Sequence, residues 1–141
     1  VTAALGSTAV GHLQDRIGLV RGLRHSLWLW IAAMALIMIA QTKVHVWIAA
    51  NVIGLAMGAS QAGGRAVVGR FTPLAQTGEF FGLWGLAGRA ASIIGPLSYG
   101  VIAFAAAGNQ RVAAASTLAF FLGGMLMLRM VDETRAVEAA K

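Results

Sequence analysis

The chain has 141 residues, 58% hydrophobic and 11% charged, with a mean hydropathy of +0.75 and a formal net charge of +6. Soluble domains carry about a quarter charged residues, and a chain this small cannot hide so much apolar surface in its own core, so lipid is its natural solvent. Zero Cys excludes disulfides, thiol catalysis and Cys-ligated metals. The charges sit in short stretches between apolar runs and leave no basic face for a phosphate track, which argues against nucleic acid as a partner.

The apolar runs are long and continuous, which predicts helices rather than a barrel of alternating strands. Residues 1–11 are apolar and small, too short to span, and are expected to be the end of a helix cut from a longer chain. His12 to Arg24 reads as a basic loop, with Gly11 closing the helix before it. Residues 26–40 form the first full span, with Trp28 and Trp30 at its start, as in an interfacial aromatic belt. A turn at Gln41, Thr42 and Lys43 leads to a span over 44–63. Arg65 to Gly78 reads as a second polar loop, broken by Pro73. A long Gly-rich span follows over 79–107, then a turn at Gly108, Asn109 and Gln110, a last span over 111–130, and a charged tail from Asp132. The expected fold is an all-α, polytopic transmembrane helix bundle, in a single unit over 1–141.

Basic residues are unevenly divided between the two sides of this arrangement. Arg16, Arg21, Arg24, Arg65, Arg70, Arg129, Arg135 and Lys141 fall on one side, and Lys43 and Arg111 on the other. The positive-inside rule makes the first side cytoplasmic, together with the C-terminus. Arg89 is left within a span.

On a helical wheel, Gly78, Gly82, Gly85, Ser92, Pro96 and Gly100 lie within about 60° of Arg89, with Phe80, Leu83, Trp84, Ala87, Ala91 and Ile94 opposite. Small residues permit close helix packing in lipid, so Arg89 is expected to face other helices or a cavity. A charge at that depth is costly unless paired or wet. It therefore reads either as a cation facing an anionic solute group or a coupling carboxylate, or as a side chain that snorkels to the cytoplasmic interface or pairs structurally with another helix. The preceding span carries a similar stripe, Asn51, Gly54, Gly58, Gln61 and Arg65. Asn51 and Gln61 serve a polar pathway or interhelical hydrogen bonding; Arg65 is read as structural. Gly95-Pro96 frees a backbone carbonyl and reads as a hinge or a packing kink. His12, His25 and His45 are dispersed, and no G-x-S-x-G, Walker A or H-E-x-x-H pattern occurs. No catalytic residue, metal site or cofactor is expected, and the chain is not expected to be an enzyme.

Gly11-His12-Leu13-Gln14-Asp15-Arg16-Ile17-Gly18 fits G-x-L-x-D-R-x-G. In physical terms, Asp15 can cap a neighbouring helix, Arg16 can pair with acids or carbonyls, and Gly18 allows a turn at positive φ. This stretch resembles the loop between helices two and three, repeated between eight and nine, of the major facilitator superfamily of secondary transporters. Further stretches are similar to that superfamily's vacuole-effluxer-like branch, related to the fungal autophagy amino-acid effluxer. They are Gln61-Ala62-Gly63-Gly64-Arg65 leading to Arg70-Phe71-Thr72-Pro73; Glu79-Phe80-Phe81-Gly82-Leu83-Trp84 through Gly88-Arg89 to Gly95-Pro96-Leu97; and Gln110-Arg111 with Val131-Asp132-Glu133.

The resemblance implies about helices eight to twelve of a twelve-helix transporter, its C-terminal half. The two halves are related by an axis along the membrane normal, so helices two to six are the other placement. The sequence departs from the branch in having Arg89 where Lys is usual and Gly64 where Ser is usual. Arginine cannot lend its proton as lysine can, so anion attraction survives in place of a proton relay. The implied function is a secondary transporter moving a small polar solute, amino acids among the candidates, by alternating access. Its pathway residues would be Arg89, Asn51 and Gln61. Gly11, Asp15, Arg16 and Gly18 would form a cytoplasmic gating loop, and Gly95 and Pro96 a hinge. The partners would be the lipid bilayer, the solute and the missing N-terminal half of the same chain. The abundance of Arg, Ala and Gly suggests a bacterial cytoplasmic membrane. The rival reading is a non-transporting membrane scaffold or interaction subunit, in which the glycine stripes serve packing alone.

Overall fold

The computed structural model describes residues 2–140, with the side chains of Val10, Leu13 and Asp15 outside the described residues. Among the described residues there are six α-helices and no strand: α1 (Thr2–Ile17), α2 (Leu19–Ile39), α3 (Lys43–Phe71), α4 (Thr77–Ala105), α5 (Gln110–Arg129) and α6 (Glu133–Ala139), with a 3₁₀ turn at Leu74–Gln76. Four helical segments are long and apolar enough to cross a membrane: Leu19–Ile39, Lys43–Phe71, Leu74–Ala105 and Gln110–Arg129. The all-α polytopic fold is therefore as expected.

The helix ends differ from the sequence reading, for local reasons. The expected loop over His12–Arg24 is almost entirely helical. Gly11 sits inside α1, and no breaker follows it until Gly18, whose φ of +95° interrupts the chain for a single residue. A left-handed conformation of this kind is cheap only for glycine. The polar stretch from Arg65 to Arg70 likewise continues α3. The helix stops at Thr72, which is extended at φ −96° and ψ 125° because the next residue is Pro73. Helix α4 runs from Thr77 through Gly95 and Pro96 to Ala105. It ends in two residues at positive φ, Ala107 and Gly108. Asn109 then caps α5 by accepting from the amides of Arg111 and Val112. The expected charged tail is helix α6, whose N-cap Asp132 accepts from Thr134 and Arg135.

The four long helices close a ring: α3 packs on α2, α2 on α5, α5 on α4, and α4 on α3, with α1 lying against α3 and α2. The buried positions are mostly small, including Ala33, Ala49, Ala56, Ala59 and Ala113, and the largest fully buried side chain is Ser26. Large apolar side chains point outward instead, among them Trp47 (72% exposed) and Phe104 (89%). This inversion is what lipid demands: apolar side chains lose nothing by facing acyl chains, and close backbone approach holds the helices together. Gly54 and Gly58 show that approach directly, since a Cβ on either would collide with Thr2 or with the carbonyl of Ala3 on α1.

Trp30 is turned toward neighbouring helices. It stacks on Phe121 of α5 with ring centroids 5.2 Å apart, and its indole N–H donates to Ser60 on α3 at 3.3 Å.

Candidate functional site

A groove of about 520 Å³ runs between α3 and α4. Ser60, Gln61 and Gly64 form its α3 wall; Trp84, Gly85, Gly88, Arg89 and Ser92 form its α4 wall. Two of the three predicted pathway residues, Gln61 and Arg89, thus share one groove. Asn51 does not join them. Its amide donates to the Trp47 carbonyl one turn back at 2.8 Å, and it lies roughly 15 Å along α3 from Gln61.

The groove forms here because glycines on α3 admit aromatic rings from α4. The Trp84 indole nitrogen lies 3.8 Å from where a Cβ on Gly64 would sit, and the Phe81 ring stands 3.8 Å from the same point on Gly69. Arg65 lies over the Trp84 ring, 5.6 Å from its centroid, within cation–π range. Phe81 meets Trp84 edge-on at 6.3 Å. These contacts hold the two helices together below the groove and leave it open above.

Arg89 is the thirteenth residue of α4, roughly 18 Å from Thr77 and near mid-span. The Ser92 hydroxyl is turned to the Arg89 carbonyl at 2.7 Å. Among the described residues, no carboxylate lies within salt-bridge distance of the guanidinium; the ion pair found joins Arg135 and Asp132 at 3.4 Å. The groove therefore presents a fixed positive charge and the Gln61 amide beside an aromatic wall, while the hydroxyl protons of Ser60 and Ser92 go to the Met57 and Arg89 carbonyls. Such a surface can attract an anionic group and hydrogen-bond its neighbours.

The orientation of α4 corrects the wheel. The face turned to α3 centres near Gly88 and Ser92, about 70° from Arg89, so Trp84, expected on the far side, enters the groove. Gly78, Gly82 and Gly100 have nothing within 4 Å of a Cβ position. The face opposite Arg89 meets α5, where Ala87, Ala91, Ile94 and Gly95 line an apolar groove with Phe120 and Phe121. Gly95 thus lines the groove toward α5 with nothing within 4 Å of a Cβ position, and Pro96 is exposed.

The predicted gating residues lie at the other landmark, the α1–α2 joint. Gly11 and Arg16 are on α1, Gly18 is the break itself, and the Asp15 side chain lies outside the described residues. Gly18 is the N-cap of α2 and supplies no capping side chain. Glu133, at the start of α6, does so instead: its two carboxylate oxygens accept from the amides of Leu19 and Val20 at 3.0 and 3.2 Å. Sequence reading missed Glu133, and the signal available was a helix opening on glycine with no Ser, Thr, Asp or Asn to cap it. It also missed Ser60 and Ser92, the polar neighbours of Gln61 and Arg89. No group of three or more His, Cys, Asp or Glu that could hold a metal occurs among the described residues.

The family model described as "Vacuole effluxer Atg22 like" matches residues 2–141. The chain belongs to this family. A relative from Bacillus subtilis (strain 168), described as an uncharacterized MFS-type transporter, YxiO, is 30% identical over 101 residues, which is 72% of the chain. The chain spans 23% of that relative's length. No solved structure matches. Membership in this effluxer-like family, with four helical segments long and apolar enough to span, makes the chain part of an integral membrane protein of the major facilitator type.

Proposed function

We propose that this chain forms part of a secondary transporter that moves a small polar solute by alternating access, with amino acids as the first substrates to try. The observation that carries the reading is the meeting of Gln61 and Arg89 in one groove at mid-span, together with Ser60 and Ser92. A charge in a span is expensive and is kept where it meets a solute, a partner or water. Arginine cannot lend its proton as lysine can, so the role of Arg89 is to attract an anionic group such as a carboxylate, not to relay a proton. The basic side of the molecule, with the α1–α2 joint and α6, faces the cytoplasm in this reading. The remainder of the transporter supplies the facing wall of the pathway.

A scaffold reading draws on Gly54 and Gly58, which are pressed against α1. It accounts for those glycines and leaves the polar groove without a purpose. The two readings separate in proteoliposomes containing the complete protein, by uptake of a labelled amino-acid mixture. Arg89→Ala abolishing uptake at unchanged expression and folding supports the pathway. An Arg89→Ala protein that transports as well as the parent removes Arg89 from it.

A further inference from the structure

We propose that the Trp84 indole N–H is a second anchor in the α3–α4 groove, and that the groove takes a small solute with a carboxylate at each end, an acidic amino acid or a dicarboxylic acid. The proposal narrows the transport reading and rests on it for its purpose, not for its geometry.

Three observations support it. First, Trp84 brings an unused donor to the groove. The other indole that reaches α3, that of Trp30, donates to Ser60 at 3.3 Å. Among the described residues, the Trp84 N–H has no such partner. Its nitrogen faces the bare backbone of Gly64, 3.8 Å from where a Cβ would sit, and Gly64 itself lines the groove. An indole nitrogen donates and does not accept, and an indole in apolar surroundings usually finds an acceptor. Access to it is open, because Gly85 and Gly88 line the same groove and have nothing within 4 Å of a Cβ position.

Second, the charge is placed for two negative groups. Arg89 lines the groove, and Arg65 lies over the Trp84 ring, 5.6 Å from its centroid. Trp84 and Arg89 are five residues apart on α4, roughly 7.5 Å along its axis. That separation suits a chain of about four or five carbons. Helices α3 and α4 carry Lys43, Arg65, Arg70 and Arg89 against a single acid, Glu79, which does not line the groove. A solute with one carboxylate answers Arg89 alone. A second carboxylate, at the indole N–H, also meets the field of Arg65.

Third, few donors are left for a solute. The Ser60 and Ser92 hydroxyls donate to the Met57 and Arg89 carbonyls. The Gln61 amide, the Arg89 guanidinium and the Trp84 N–H remain. An aliphatic side chain seated against Trp84 would take water from its N–H and offer nothing in return, which disfavours such solutes.

The test is thermal unfolding of the complete protein in detergent against rising concentrations of succinate, glutamate, glutamine and leucine, since a ligand of the folded state raises the melting temperature according to its affinity. Succinate and glutamate are expected to act at concentrations about tenfold below those of glutamine and leucine. Trp84→Phe keeps a ring and removes the donor; it should raise the glutamate requirement about tenfold, the worth of one hydrogen bond to a charged group. Gly64→Ser sets a hydroxyl within reach of the indole nitrogen, where it accepts the N–H in the solute's place. It should weaken glutamate in the same way, and it serves if Trp84→Phe does not fold. Leucine binding as tightly as glutamate overturns the proposal, as does glutamate binding that neither variant weakens, or no binding by any of the four. Uptake of labelled glutamate and leucine into proteoliposomes separates the proposal from the transport reading. Trp84-dependent glutamate binding without uptake of either supports the anchor and ends the transport reading. Leucine uptake without binding of the two dicarboxylates keeps the transport reading and overturns the anchor.

Discussion

The guanidinium of Arg65 lies over the ring of Trp84, 5.6 Å from its centroid, and joins α3 to α4 where glycines leave room for the indole. Trp84→Ala should loosen this junction and lower the stability of the solubilised protein by about 1–2 kcal/mol, allowing for the ring being only half-buried. Trp84→Phe should keep most of it. Thermal unfolding in detergent measures both. If Trp84→Ala melts with the parent, the aromatic junction does not hold the groove.

The glycines divide into two groups with opposite expectations. Gly58→Ala places a methyl group into the Ala3 backbone carbonyl and should cost about 1–3 kcal/mol, as overpacking does. Gly100→Ala meets nothing within 4 Å and should change the stability of this chain by less than about 0.5 kcal/mol. Melting curves of the two variants, expressed side by side, should separate clearly; equal shifts would mean that α1 does not press on α3 as described.

For Arg89 the informative comparison is between lysine and glutamine. Hydrogen bonds to a charged group contribute about 1.5–3 kcal/mol, which is about 10- to 150-fold in affinity. Arg89→Gln should weaken solute binding by a factor in that range. Arg89→Lys, which keeps the charge and loses the planar fork, should lose less. Initial uptake rates against concentration decide the order. Glutamine performing as well as lysine would show that charge is not what the groove uses.

Gly18→Ala should destabilise the α1–α2 joint by about 1–2 kcal/mol, since alanine at positive φ is strained and its methyl crowds Glu133. Gly11→Ala, on the same loop motif but helical with open space around it, should be neutral or slightly stabilising. Proteolysis rates at Arg16 compare the two directly.

Hydropathy along the chain was enough to reveal the spans, their number and the membrane setting, because desolvating a run of apolar residues is a local property of that run. Gln61 and Arg89 were legible as well, since polar residues within apolar helices are costly and conspicuous. The motifs around Gly11–Gly18 and Phe80–Leu97 carried the family. The direction in which each helix faces was not legible. In water, apolar periodicity marks the buried face; in lipid both faces are apolar, and packing follows the fit of small residues instead. Only the assembled helices show that Gly54 and Gly58 receive α1, that Trp84 enters the groove beside Arg89, and that Asn51 stays outside it. The capping of α2 by Glu133 was hidden for a related reason: the two groups are 114 residues apart, and the tertiary fold alone brings a carboxylate to a helix that begins on glycine.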